Sequence, residues 1–158
     1  MNSVGVYIHI PFCGSKCAYC DFYSQIRSEK KREDYVCALV NQIKNADFGG
    51  SVRSVYIGGG TPSVLTSEQL CRILGAVYSR FDVENGAEIT VEMNPENLTG
   101  ELVRALVQNG VGRVSMGVQS FCDGELALLG RRGSADICEK AFETLRQCGA
   151  RNISLDLM

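Results

Sequence analysis

Three cysteines lie close together near the start of the chain, in the pattern C-x3-C-x2-C. They are Cys13, Cys17 and Cys20, and they follow a short apolar run that ends at Ile10. Three thiolates in one loop can bind one metal centre, because cysteine binds both iron–sulfur clusters and zinc. A [4Fe–4S] cube normally takes four cysteine ligands, so three would leave one iron open to a ligand from outside the protein. A zinc site would need a fourth protein ligand, and the neighbouring candidate, His9, precedes the loop.

The remaining composition is that of an ordinary globular protein. The chain has 158 residues, of which 45% are hydrophobic and 22% charged, and it has eight cysteines. We find no secretory signal, so we expect a cytoplasmic protein whose thiols stay reduced. Cysteines on predicted helices, such as Cys37 and Cys138, are expected to be small buried side chains, whereas the role of Cys122 stays open.

Charge and hydropathy argue against nucleic-acid binding and against a segment that spans a membrane. The formal net charge is −2, so the chain lacks the basic excess that binds nucleic acid. The longest apolar run near the start, residues 4–10, is far too short to span a bilayer. We therefore expect neither a nucleic-acid partner nor a transmembrane segment.

Short strands alternate with amphipathic helices along the chain. The runs rich in Val, Ile, Tyr and Ser predict strands at 4–10, 52–57, 87–91, 113–118 and 152–157. Apolar residues at helical spacing predict helices around 35–43, 70–77, 102–107 and 137–145. Thr66 and Gln69 form a capping box before the second helix, and Ser134 is the expected N-cap of the fourth.

The alternation predicts an α/β fold with a parallel sheet. One strand and one helix together take about 30 to 40 residues, the length of a βαβ unit. A doubly wound sheet and a barrel both remain compatible with this pattern. No linker or shift in composition divides residues 1–158, so we expect one domain. Because a parallel strand needs cover on both faces, a chain that stops at the fifth strand is expected to be truncated.

Glycines and polar residues stand at the ends of the later strands. A glycine-rich turn, Gly-Gly-Gly-Thr-Pro at 58–62, follows the second strand. Glu92 closes the third strand, Gln119 closes the fourth, and Asp156 lies late in the fifth. Each alone could be a solvated strand end or a helix cap. Together they favour a barrel, because barrel enzymes build their sites at the C-terminal ends of the strands.

The cysteine motif resembles the signature of the radical S-adenosylmethionine (SAM) superfamily. The longer stretch Tyr-Ile-His-Ile-Pro-Phe-Cys at 7–13, with Cys-Asp-Phe at 20–22, is more specifically similar to the oxygen-independent coproporphyrinogen III oxidase family. The resemblance implies a parallel (β/α) partial TIM barrel of the radical SAM type, truncated after about five strands. It also implies that Cys13, Cys17 and Cys20 bind a [4Fe–4S] cluster whose open iron binds SAM.

The resemblance further implies a set of SAM-binding residues. They are Tyr7, Tyr19, Gly59, Gly60, Thr61, Glu92, Gln119, Arg131 and Asp156. The glycine-rich turn would hold the SAM amino group through its backbone, and Gln119 would hold the ribose hydroxyls. Glu92 and Asp156 would hold the ribose or methionine parts of SAM.

Arg131 would pair with the carboxylate of SAM, a task that suits the bidentate geometry of a guanidinium. The family often has a histidine two residues after this arginine, where the present chain has Gly133. Tyr7 and Tyr19 would pack against SAM or the cluster, and ordinary core packing is the alternative for both.

Two features separate this chain from the oxidases it resembles. Those oxidases usually carry a fourth cysteine two residues after the third, where this chain has Phe22, and a long extension before the first strand. Both departures favour a heme chaperone, which would hand heme as cargo to acceptor hemoproteins. Heme or porphyrin would be held by a C-terminal part that follows residue 158. The alternatives are the oxidase activity itself and a zinc-binding α/β domain.

Overall fold

The computed structural model describes residues 3–158, which form one parallel sheet covered by helices. The strands are β1 (Ser3–Ile10), β2 (Ser51–Gly59), β3 (Asp82–Met93), β4 (Arg113–Gln119) and β5 (Asn152–Leu157). They lie side by side in chain order, and every neighbouring pair is parallel. A doubly wound sheet would reverse its strand order at a switch point. The unbroken order is that of a partial barrel, which confirms the predicted fold class.

Helices form the crossovers between the strands. Within residues 3–158 they are α1 (Glu29–Asn45), α2 (Ser67–Arg80), α3 (Gly100–Gln108), α4 (Asp123–Leu128) and α5 (Ala135–Gln147). The predicted capping box of α2 is confirmed, because Thr66 and Gln69 exchange two hydrogen bonds of 3.0 and 3.2 Å. The predicted N-cap of α5 is also confirmed, since the Ile137 N–H donates to the Ser134 hydroxyl at 3.3 Å. None of the helices described is long and apolar enough to cross a membrane.

Strand β3 begins earlier than the sequence predicted. Asp82 and Val83 already pair with the start of β2, and a register shift follows before Glu88 resumes the pairing. The intervening segment contains Gly86 in a left-handed conformation, with φ of 90°. The segment therefore has the sequence of a turn although it lies inside a strand, which explains why the predicted strand started only at residue 87.

The two faces of the sheet differ in chemistry. One face is apolar and is buried in the core, as Ile57, Val91 and Val114 on three neighbouring strands show. The opposite face carries polar side chains that contact one another, such as Tyr56 and Glu92. This polar face corresponds to the inside of a barrel, and we call it the inner face. Along each strand, side chains on the inner face alternate with side chains that face the core.

One expectation about the cysteines was wrong. Cys138 is buried as predicted, but Cys37 is exposed on α1. It follows the buried Val36 by one position, which places it about 100° farther round the helix and outside the apolar stripe. Its sulfur instead contacts polar groups, accepting a hydrogen bond of 3.2 Å from Arg72 and donating one of 3.2 Å to Glu33.

Candidate functional site

The C-terminal ends of the strands and the loop after β1 enclose one cavity of about 190 Å³. The predicted site residues that line it are Cys13, Cys17, Tyr19, Cys20, Gly59, Gly60, Thr61, Glu92, Gln119, Arg131 and Asp156. They meet because parallel strands direct all their C-terminal ends to one edge of the sheet. The structure thus brings together side chains that lie far apart along the chain.

The cysteine loop, residues 13–24, leaves β1 and returns beside it. Its neck is closed by two backbone hydrogen bonds, from the Cys13 N–H to the Gln25 oxygen at 3.1 Å and from the Gln25 N–H to the Pro11 oxygen at 2.9 Å. Farther along, the Ala18 N–H donates to the Leu129 oxygen at 3.1 Å. The three thiols are therefore carried by a loop that is fixed at its base and at one point in its middle.

The chemistry of these thiols fits an iron–sulfur cluster. Cys13, Cys17 and Cys20 are each half-buried on the wall of the cavity. The Thr61 hydroxyl donates to the Cys13 sulfur at 3.5 Å, and Nη1 of Arg131 donates to the Cys17 sulfur at 3.7 Å. Hydrogen bonds to ligand sulfurs are one means of tuning a cluster. Across residues 3–158, no three Cys, His, Asp or Glu side chains are gathered closely enough to hold a metal ion.

The glycine-rich turn is bonded tightly to the base of the cysteine loop. The N–H groups of Gly60 and Thr61 donate to the oxygens of Ile10 and Phe12, at 2.8 and 2.7 Å. The approach is so close that a Cβ at Gly60 would lie 2.5 Å from the Phe12 oxygen. Because an ammonium group can only donate, the amino group predicted to bind here would use carbonyl oxygens of the turn, not these occupied amides.

Both oxygens of the Glu92 carboxylate are held in place. Oε1 accepts a hydrogen bond of 2.6 Å from the Tyr56 hydroxyl, and Oε2 accepts one of 2.9 Å from the Gly59 N–H. Burial, together with the hydrogen bond to Glu92, raises the pKa of Tyr56. Sequence reasoning missed Tyr56, although its place on β2, five residues before the predicted Thr61, was a usable signal.

At the far side of the cavity, Asp156 and Gln119 are fixed by β4 and β5. The Ser115 hydroxyl lies 3.3 Å from both Asp156 oxygens and donates to this carboxylate. Gln119 has a left-handed backbone, with φ of 71°, at a register shift between the two strands. Such a conformation is strained for a residue other than glycine. The Met158 N–H holds it by donating to the Gln119 oxygen at 3.0 Å.

Arg131 lies between the cysteine loop and β4, with a side chain that is only 5% exposed. Its Nη2 donates to the Gly117 oxygen at 2.6 Å, and its Nη1 donates to Oδ1 of Asn94 at 3.5 Å. It also forms an ion pair of 3.6 Å with Glu96. Burial lowers the pKa of Arg131, but the Glu96 carboxylate and Cys17 outweigh it, so the pKa is raised and the group is a firm cation.

Asn94 is another cavity residue that sequence reasoning missed. Its Nδ2 donates to the Thr61 hydroxyl at 3.3 Å while its Oδ1 accepts from Arg131, so it joins two strand ends. Its backbone N–H donates to the Ser63 hydroxyl at 3.1 Å. The signal that could have found it is its position, two residues after Glu92 and directly before Pro95.

Tyr7 is the predicted residue that the cavity lining does not include. Its side chain is 59% exposed on the inner face of β1. Its hydroxyl lies 2.9 Å from Nδ1 of His9, whose Nε2 lies 3.1 Å from the Tyr23 oxygen. Because a carbonyl only accepts, Nε2 carries a proton, and in the neutral ring Nδ1 accepts from Tyr7. His9 is therefore a hydrogen-bonding residue, and contact of Tyr7 with SAM stays a prediction.

Comparison with known proteins agrees with this geometry. A sequence model of the Radical SAM superfamily matches residues 7–158. The chain is 38% identical over 152 residues to the heme chaperone HemW of Lactococcus lactis, covering 96% of this chain and 40% of that protein. It is 32% identical over 164 residues to an oxygen-independent coproporphyrinogen III oxidase of Bradyrhizobium diazoefficiens, covering 99% of this chain and 36% of that protein.

The same relationship is visible in three dimensions. The structure of coproporphyrinogen III oxidase (HemN) from Escherichia coli, a radical SAM enzyme, matches 97% of this chain and 36% of its own, with a TM-score of 0.87 and 26% identity. The chain thus spans 36% to 40% of the length of these relatives. Sequence and fold both match over nearly all of its residues, and the chain belongs to the radical SAM superfamily.

Proposed function

We propose that residues 1–158 form the N-terminal part of a radical SAM core domain that binds a [4Fe–4S] cluster and SAM in a heme chaperone of the HemW type. One observation carries the proposal: the predicted cluster and SAM residues, except Tyr7, line a single cavity. We also propose a cytoplasmic location, where the three thiols would stay reduced.

The residues of the cavity divide the proposed binding task. Cys13, Cys17 and Cys20 would hold three irons of the cluster, and SAM would bind at the fourth. The cationic Arg131 would neutralise the carboxylate of SAM, and the fixed oxygens of Glu92 would accept from its ammonium or hydroxyl groups. When bound, a reduced cluster would supply the electron that cleaves the sulfonium bond of SAM.

Heme delivery is proposed ahead of porphyrinogen oxidation for two reasons. Phe22 stands where the oxidases carry a fourth cysteine, and its side chain is 67% exposed beside the cavity. HemW proteins of several bacteria are also 37% to 38% identical to this chain, whereas the oxidase of B. diazoefficiens is 32% identical. Oxidation of coproporphyrinogen is the second candidate, favoured by the oxidase of B. diazoefficiens and by the HemN fold.

Reconstitution tests the proposed cluster. The full-length protein, loaded with iron and sulfide under anaerobic conditions, should bind about four irons and four sulfides per chain. Cys17→Ser should lose the intact cube, whereas Cys37→Ser, the same change at an exposed cysteine outside the loop, should keep it. An intact cluster in Cys17→Ser would contradict the proposal. One zinc and no sulfide in the native protein would establish the zinc alternative in its place.

Two assays on the same preparation separate the two candidate activities. A heme chaperone should bind heme stably in a titration followed by absorbance and then pass it to an apo-hemoprotein. The oxidase should decarboxylate coproporphyrinogen in the presence of SAM and a reductant. Turnover of coproporphyrinogen without stable heme binding would replace the chaperone by the oxidase.

A further inference from the structure

Glu96 is a charged residue beside the cavity that no motif in the sequence singled out. It lies in the short 3-10 turn Pro95–Asn97 that follows β3, and its side chain is 22% exposed. Its Oε1 accepts a hydrogen bond of 3.1 Å from the Gly133 N–H and lies 3.6 Å from Nη2 of Arg131. One carboxylate oxygen therefore contacts both ends of the segment 131–133.

Glu96 also supplies the counter-charge that the buried Arg131 needs. In the part of the chain that the structure describes, Glu96 is the carboxylate paired with this guanidinium. The oxygens of Gly117 and Asn94 that also accept from it are neutral. A buried charge that loses its partner is strongly destabilised. Glu96 therefore keeps the guanidinium in place at the cavity before an anionic ligand arrives.

The absence of a side chain at Gly133 leaves room for this contact. A Cβ at position 133 would lie 3.0 Å from Oε1 and 3.4 Å from Cδ of Glu96. A larger residue there would press on the carboxylate, which would have to shift by a few tenths of an ångström to make room. The chain thus has a glycine in place of the expected histidine, and the Glu96 carboxylate lies directly beside that glycine.

We propose that Glu96 is a positioning residue for Arg131. Its carboxylate, which accepts from the Gly133 N–H, pairs with Nη2 and so keeps the guanidinium at the cavity wall, where the carboxylate of the ligand would meet it. Because a guanidinium is planar and rigid, a partner at Nη2 limits how the whole group can turn. This inference rests on the proposed function, since it takes SAM as the ligand.

Binding of SAM to the reconstituted full-length protein tests the inference. Glu96→Gln removes the charge but keeps an oxygen for the Gly133 N–H, and it should weaken SAM binding about five- to tenfold. Decarboxylated SAM, which lacks the group that Arg131 would bind, should bind the variant and the wild type equally. Glu143→Gln, the same change at an exposed position on α5, is the matched control and should leave both affinities unchanged.

A double-mutant cycle completes the test. Once Arg131→Gln has removed the guanidinium, Glu96→Gln should cause no further loss of SAM affinity. Glu96→Asp, which keeps the negative charge, should lose less SAM affinity than Glu96→Gln does. Equal weakening toward SAM and decarboxylated SAM, or additive losses in the double variant, would overturn the positioning role. Absence of SAM binding by the wild type would instead overturn the proposed function, and the ligand assigned to Arg131 with it.

Discussion

The cysteine loop and the strand ends face each other across one cavity, but they are held in different ways. The loop is bonded at its neck and again at Ala18, and its aromatic residues Phe22 and Tyr23 are exposed. By contrast, Glu92 at the end of β3 and Arg131, which follows α4, are fixed by neighbouring side chains and backbone groups. The comparison indicates that the proposed SAM-binding side is the more firmly held of the two, so we expect the cysteine loop to change more when a cluster binds.

The largest expected effect is on the mobility of the cysteine loop. Reconstitution of the cluster should slow amide hydrogen exchange across residues 14–24 by about tenfold or more, because three of its side chains become tied to one centre. The amides of β2 and β4, which are already bonded within the sheet, should change little. Mass spectrometry of exchange in the apo and reconstituted full-length protein measures both. Equal slowing on the two sides would show that the strand ends are not the more firmly held side.

Gly60→Ala should have the next largest effect, because Gly60 joins the two sides. The added methyl group would press on the backbone oxygens of Ile10 and Phe12, which cannot move away as a flexible side chain could. We expect a loss of about 1–3 kcal/mol in the free energy of unfolding, measured by urea denaturation, together with poorer cluster retention.

Gly75→Ala is the matched control for that substitution. Gly75 lies within α2, and a Cβ there meets nothing within 4 Å. The change should be neutral, or stabilising by up to about 1 kcal/mol, since alanine favours a helix more than glycine does. Equal destabilisation by both substitutions would mean that the contact between the turn and the loop has no special role.

Tyr56→Phe tests the strand ends alone and should have the smallest effect. Loss of the hydroxyl removes one hydrogen bond to Glu92 and should cost about 0.5–1.5 kcal/mol of stability. SAM affinity should fall modestly, while cluster content stays at the wild-type level. A loss of cluster in this variant would show that the two sides are not independent.

The pH dependence of stability provides a second measurement on the same variant. The pKa of Tyr56 is raised in the folded protein by burial and by Glu92. Its contribution is therefore fully present below the ordinary tyrosine pKa of about 10 and is lost as the pH rises above that value. Denaturation at increasing pH should show a steeper fall for the wild type than for Tyr56→Phe.

The parts of this molecule that follow a regular period could be predicted from its sequence. The strand runs and the apolar stripes of the helices predicted a parallel α/β fold. Because the C-terminal ends of parallel strands converge, Glu92 and Asp156 could be predicted to share one site. Cys37 was misplaced because its burial was expected from the usual behaviour of free cysteine, although it is not one of the apolar residues at helical spacing. Early pairing of Asp82 and Val83 was missed because the turn-like sequence that follows conceals it.

The missed site residues share a different cause. Glu96 lies in a 3-10 turn, where no periodic pattern indicates which way a side chain faces. Tyr56 looks like an ordinary aromatic residue of a strand, and only the bond to Glu92 gives it a function. Both residues are defined by a partner distant in sequence. For Tyr56 the only signal was its place five residues before the predicted Thr61, and Glu96 offered none.

Because the strands lie in the sheet in chain order, the residues of the cavity leave the ribosome one strand after another. The neck of the cysteine loop needs only residues as far as Gln25, so it can close early. The residues that contact the thiols come much later in the chain: Thr61 follows Cys13 by 48 residues, and Arg131 follows Cys17 by 114. The ribosome therefore releases the thiols well before the residues that surround them, and a cluster inserted during translation would stay open to solvent until Arg131 had emerged.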